Sequence, residues 1–168
     1  MNPFVDFLGN GILWTGIVSW LVAQLLKIII NLLVERKFEW ERLWGDGGMP
    51  SGHSATVTAI AFTSGWCFGF GSVYFAIAGT LAVIVMHDAV GVRREAGKQA
   101  TSIKQLAELI NQLAEEKDDV VRTDKLKELV GHTPLQVFFG FLLGAGITLV
   151  AVLVFGLEYC AGAFSLFA

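Results

Sequence analysis

Four stretches of apolar side chains, at residues 13–34, 51–70, 72–90 and 134–155, set the terms on which this chain can fold. A bilayer's hydrocarbon core is about 30 Å thick, so a crossing helix needs about 20 mainly apolar residues, and each stretch has or approaches that length. Backbone N–H and C=O groups find no water there, and a helix satisfies them within the stretch itself. Composition agrees: 54% of the 168 residues are apolar and 16% charged, with a mean hydropathy of +0.62, too hydrophobic for an ordinary soluble domain. The expectation is an all-α, polytopic membrane helical bundle forming one domain over residues 1–168. It has about four transmembrane helices and a cytoplasmic amphipathic helical insertion at 98–130. Gly69, Phe70, Gly71 and Ser72 supply a tight turn between the second and third spans.

A net charge of -3 says little about such a chain, because the placement of Lys and Arg governs its topology. Arg36, Lys37 and Arg42 follow the first span, and Arg93, Arg94, Lys98, Lys104, Lys117, Arg122, Lys125 and Lys127 separate the third from the fourth. Four spans bring both groups to one face, which the positive-inside rule assigns to the cytoplasm, with both termini outside. Asn2, Pro3 and Asp6 precede the first span where a cleaved leader would be basic, so the start reads as a retained segment of a protein of the bacterial cytoplasmic membrane. In the insertion, Ile103, Leu106, Ile110 and Leu113 recur at helical spacing before the charged break Glu115 to Asp119. That stripe fits a membrane-surface contact, a cover over a site or a homo-oligomer contact. Cys67 and Cys160 lack metal-ligand spacing and read as small apolar residues.

Chemistry-bearing residues collect at the cytoplasmic helix ends. Gly47-Gly48-Met49-Pro50-Ser51-Gly52-His53-Ser54 leads into the second span, and a glycine-rich turn before a helix N-terminus makes an anion site from unpaired N–H groups and the positive end of the dipole. The same run is also what a plain turn with Ser51 as N-cap looks like. The fourth span opens with His132, Thr133 as N-cap, Pro134 at the first helical position and Gln136 as capping-box partner. The third ends in Asp88, Arg93 and Arg94; the arginines suit bidentate phosphate recognition or a membrane anchor. Asp88 is either an internal counterion or a working group, and Lys27, inside the first span, either snorkels or reaches into a shared pocket. Two histidines, cations and two helix N-termini are the parts needed for phosphoryl transfer without a metal. No Cys/His cluster of metal spacing is present and no cofactor is expected.

The stretches GGMPSGHSA (47–55), HDAVGVRREAGKQA (87–100) and GHTPLQVFFGFLLG (131–144) resemble the type 2 phosphatidic acid phosphatase superfamily, which includes the vanadium haloperoxidases, and most closely its small divergent membrane branch. The resemblance implies that Ser51 and Gly52 bind phosphate, that His53 is the general acid and that His132 is the nucleophile. It further implies a phosphate-binding arginine, assigned to Arg93 with Arg94 close behind, and a lysine represented by Lys27. The family's arginine and histidine stand closer together than here, where the insertion separates them, and no Arg-Pro follows Lys27. Gln136 occupies the position of the family's acidic residue that orients the nucleophile; its carbonyl can accept the same hydrogen bond without stabilising an imidazolium as a carboxylate does. Asp88 is the candidate to supply that missing charge.

The expected function is a metal-independent phosphatase of a lipid or isoprenoid phosphate or diphosphate, working through a phosphohistidine, with the substrate tail in the bilayer and no nucleic acid as partner. The alternative is a non-catalytic membrane protein that binds phosphate or a lipid headgroup, as a transport or scaffold component. A haloperoxidase ranks below both, since a membrane-embedded site gives halide and peroxide poor access.

Overall fold

The computed structural model describes residues 3–35, 48–113 and 131–156, and among these every regular element is an α-helix. In chain order they are α1 (Pro3–Leu8), α2 (Gly11–Glu35), α3 (Gly52–Phe68), α4 (Val73–Val90), α5 (Val92–Leu113) and α6 (Pro134–Phe155). The four apolar stretches become α2, α3, α4 and α6. The short α1 was not expected, because six residues carry no readable period. Its turn into α2 is tied by Asn10, whose Oδ1 accepts the Leu13 N–H at 3.0 Å, and by Trp14, whose indole N–H donates to Leu8 O at 3.0 Å. The expected insertion begins earlier than residue 98: α5 starts at Val92, directly after Gly91 caps α4. Its remainder over 114–130, Arg36, Lys37, Arg42, Gly47 and Cys160 lie outside the described residues.

Among the described residues, three helical runs are long and apolar enough to cross a membrane: Gly11–Leu33, the run Val73–Leu113 that contains α4 and α5, and Pro134–Phe155. The fourth expected span, α3, has 17 residues, about 25 Å of helix, the lower limit for a crossing. It packs on α2, α4 and α6 at once, and its buried residues are small: glycine, alanine, serine and threonine. Lower hydropathy follows from that position, because α3 faces protein rather than lipid. By contrast α4 buries only Ala82 and Ala89, and Val73, Tyr74, Ile77, Leu81, Val83 and Ile84 are each more than half exposed. So large an apolar surface suits hydrocarbon and would be an association liability in water.

The α3–α6 contact is a parallel pair with a regular register. A Cβ at Gly140 would collide with Ser51 O and stand 2.8 Å from Ser54 Cβ, and one at Gly144 would collide with Ala55 O and stand 3.0 Å from Thr58 Cβ. One turn on, Thr148 Oγ1 donates to the carbonyls of Gly144 at 3.1 Å and Ala59 at 3.2 Å. Its single proton is thereby used, so Thr63 is the donor in the 3.3 Å Thr63–Thr148 hydroxyl pair. Small residues every fourth position let two backbones approach within a membrane, where packing and interhelical hydrogen bonds replace the hydrophobic drive.

The reading of the cysteines as mere apolar filler is corrected for Cys67, which is disulfide-bonded near the end of α3.

Candidate functional site

Helix α3 begins where three other elements converge. Ser51 is its N-cap, and its hydroxyl accepts the Ser54 N–H at 3.3 Å and the Ser54 hydroxyl at 3.0 Å. Ser51 Oγ keeps its own proton to donate. The Ser51 N–H donates to Gln136 O at 3.0 Å, and the Ala55 N–H returns to Ser51 O at 3.1 Å. The Gly52 N–H is a first-turn donor that none of these bonds uses, at the positive end of the helix dipole. Lys27 is 7% exposed, so it does not snorkel. Its stem runs along the turn before α3, with Cγ and Cδ 3.8 and 3.7 Å from where a Gly48 Cβ would stand.

His132 is fixed on both sides. Its backbone N–H donates to Ala89 O of α4 at 2.9 Å, and the residue is 2% exposed. Gly131 has φ +98°, and a Cβ on it would strike the Arg93–Arg94 backbone, so only glycine lets the α4–α5 junction close on this turn. His132 Nδ1 lies 3.3 Å from Gln136 Oε1, and the same oxygen accepts the Thr133 N–H at 3.0 Å. The second bond decides the first. A backbone N–H needs an acceptor, so the atom facing it is the amide oxygen, and Nδ1 must donate to it as N–H. The neutral imidazole then carries its lone pair on Nε2. The His53 ring is 6.2 Å from the His132 ring, centroid to centroid, inclined at 60°.

The remaining expected residues stand at the edge. Arg93 Nε and Asp88 Oδ2 form a 2.7 Å ion pair, with the side chains 42% and 37% exposed. Asp88 thus takes the counterion place, and Gln136 orients His132. Arg94 is exposed, with its backbone against Gly131. Ser51, Gly52, His53, His132 and Gln136 come together at the meeting of α3 and α6. Two residues were passed over: Gln24 and Asn31 lie at helical spacing from Lys27, each 9% exposed. Polar side chains within an apolar span, in step with a lysine, were the available signal. Among the described residues, no three His, Cys, Asp or Glu side chains come together to hold a metal ion.

A family model described as "Divergent PAP2 family" matches residues 8–147, a stretch that contains every residue of this site. The chain belongs to the divergent PAP2 family. Membership fits an all-helical bundle with the motif histidines at adjoining helix starts. This divergent PAP2 chain is also 41% identical over 157 residues to "Uncharacterized membrane protein YuiD" of Bacillus subtilis (strain 168), covering 90% of this chain and 99% of that protein. No solved structure matches it.

Proposed function

We propose that this divergent PAP2 protein is a metal-independent phosphatase of a lipid or isoprenoid phosphate or diphosphate, with its site at the cytoplasmic face. The observation that carries the reading is the double acceptance at Gln136 Oε1, which assigns the proton to His132 Nδ1 and the lone pair to Nε2. His132 Nε2 attacks phosphorus, the bond from phosphorus to the leaving oxygen breaks, and His53 protonates that oxygen. Water then attacks the phosphohistidine, His53 takes the water's proton, and His132 departs with its lone pair restored. The two rings stand 6.2 Å apart, centroid to centroid, close enough for both to address one phosphoryl group. Lys27, Arg93, Ser51 and the Gly52 N–H hold the equatorial oxygens as negative charge is redistributed. Support for the orientation comes from the basic segments and from the Cys67 disulfide at the far end of α3, since disulfides persist on an oxidising face.

The second reading is a non-catalytic phosphate or headgroup holder, favoured by Arg93 being engaged with Asp88 and by an amide where a carboxylate would stabilise the imidazolium. Phosphate release by purified protein with EDTA present separates the two, across phosphatidate, phosphatidylglycerol phosphate and prenyl diphosphates. Release that disappears in both His132→Ala and His53→Ala supports the phosphatase. Vanadate binding without release from any lipid moves the assignment to the holder. For orientation, Thr133→Cys should react with an impermeant thiol reagent only from the cytoplasmic side; labelling from outside overturns that part.

A further inference from the structure

A cavity of about 350 Å³ opens beside His53 between α2 and α3, with Val85 of α4 at its side. On α2 it runs from Trp20 to Leu13, and on α3 from His53 to Ile60; each is eight residues of helix, end to end about 10 Å. The two helices are antiparallel here, since the Gly52 position lies against Trp20 and Gly16 against Ile60, so both walls descend together from the site into the bilayer. The walls present carbon only. Even Thr56 does so, because its hydroxyl is turned back to Gly52 O at 2.9 Å and its methyl faces Gly16, 3.6 Å from where a Cβ would be. His53 lies at one end of the groove, and Trp20 stands beside it against Gly52.

We propose that this groove seats one hydrocarbon chain of the phosphorylated substrate, placing the first 10 Å or so of the chain along α2 and α3 while the phosphate lies between His53 and His132. The proposal rests on the phosphatase reading of the same site and adds how the substrate is told apart from free phosphate. The occupant is an amphiphile because the cavity begins beside His53 at one end and is apolar along its length. It is a single chain because the volume is at the small end of ligand cavities. It lies parallel to the spanning helices, so a lipid keeps the orientation it has in its own leaflet.

The test is calorimetric binding of inorganic phosphate and of alkylphosphonates from methyl to decyl, which cannot be hydrolysed, to the full chain in one detergent. Wild type is compared with Val57→Phe, which fills the groove, and with Ile60→Ala, which extends it. The ratio of wild-type to variant affinity cancels partitioning of the ligand into detergent. For Val57→Phe it should be near one for inorganic phosphate and methylphosphonate and rise to about tenfold for decylphosphonate, as for roughly two displaced methylenes. For Ile60→Ala, which keeps the result readable should Val57→Phe not fold, it should fall below one only for the longer chains. A ratio flat across the series overturns the groove. A rising ratio in a protein that releases no phosphate from any lipid retains the groove and rejects the phosphatase; release with a flat ratio does the reverse.

Discussion

Replacing Gly140 by alanine puts one methyl group where α6 and α3 touch most closely. The new Cβ would collide with Ser51 O, and it would stand 2.8 Å from Ser54 Cβ and 3.2 Å from Ser51 Cβ. None of these is the end of a flexible side chain, so the helices must part, by about 1 Å, before the contacts reach ordinary van der Waals distance. The Ser51 N–H to Gln136 O bond, now 3.0 Å, then exceeds hydrogen-bond range. Overpacking costs about 1–3 kcal/mol and the lost bond about 1 kcal/mol. The sum lowers the melting temperature by about 5–10 °C for a chain of this size. Because that bond sets the start of α6 against the start of α3, His132 moves relative to His53, and a displacement of about 1 Å lowers turnover about a hundredfold. Thermal melts and phosphate release on one detergent preparation measure both. Gly144→Ala serves as the control, since it strains the same helix pair one turn farther from the site and should lose stability with a smaller loss of turnover. Equal melting temperature and equal turnover in Gly140→Ala and wild type would refute the register.

Gln136→Leu removes the acceptor that places the proton on His132 Nδ1 and should lower turnover about a thousandfold, whereas Gln136→Glu keeps the acceptor, adds charge and should raise the rate; single-turnover phosphate release at saturating substrate decides, and a Leu variant as fast as wild type removes Gln136 from the mechanism. Lys27→Met keeps the buried stem and deletes the charge, so KM for an anionic substrate should rise about 10–100-fold; an unchanged KM would remove Lys27 from the phosphate site. Cys67→Ser should cost about 2–4 kcal/mol of stability and leave turnover at wild-type level below the melting range, because the disulfide is at the end of α3 away from Ser51; melts and phosphate release again suffice, and a turnover defect at low temperature contradicts it.

Much of the bundle was readable because membrane spans announce themselves by length and their ends by caps. Thr133-Pro134-Gln136 is a capping box in the structure as in the sequence, and Ser51 caps α3. The meeting of His53 and His132 followed from topology alone, once four spans put both at one face. What escaped had no local signal. Gly140 and Gly144 look like ordinary glycines of a membrane helix until the parallel partner is known, and Cys67 gave no sign of pairing. The Asp88–Arg93 pair needed the bend at Gly91 to be seen. Gln136 was legible as a cap and as the stand-in for a carboxylate, but only geometry shows one oxygen filling both places.

That shared oxygen makes the tautomer of His132 depend on whether the first turn of α6 is wound. Should the turn fray, Gln136 Oε1 leaves Thr133 and His132 together, and the imidazole is released to either tautomer. Helix ends open at far lower free energy than whole domains, so heating should silence the nucleophile before the bundle melts, with hydrogen exchange at the Thr133 amide as the timer of that loss.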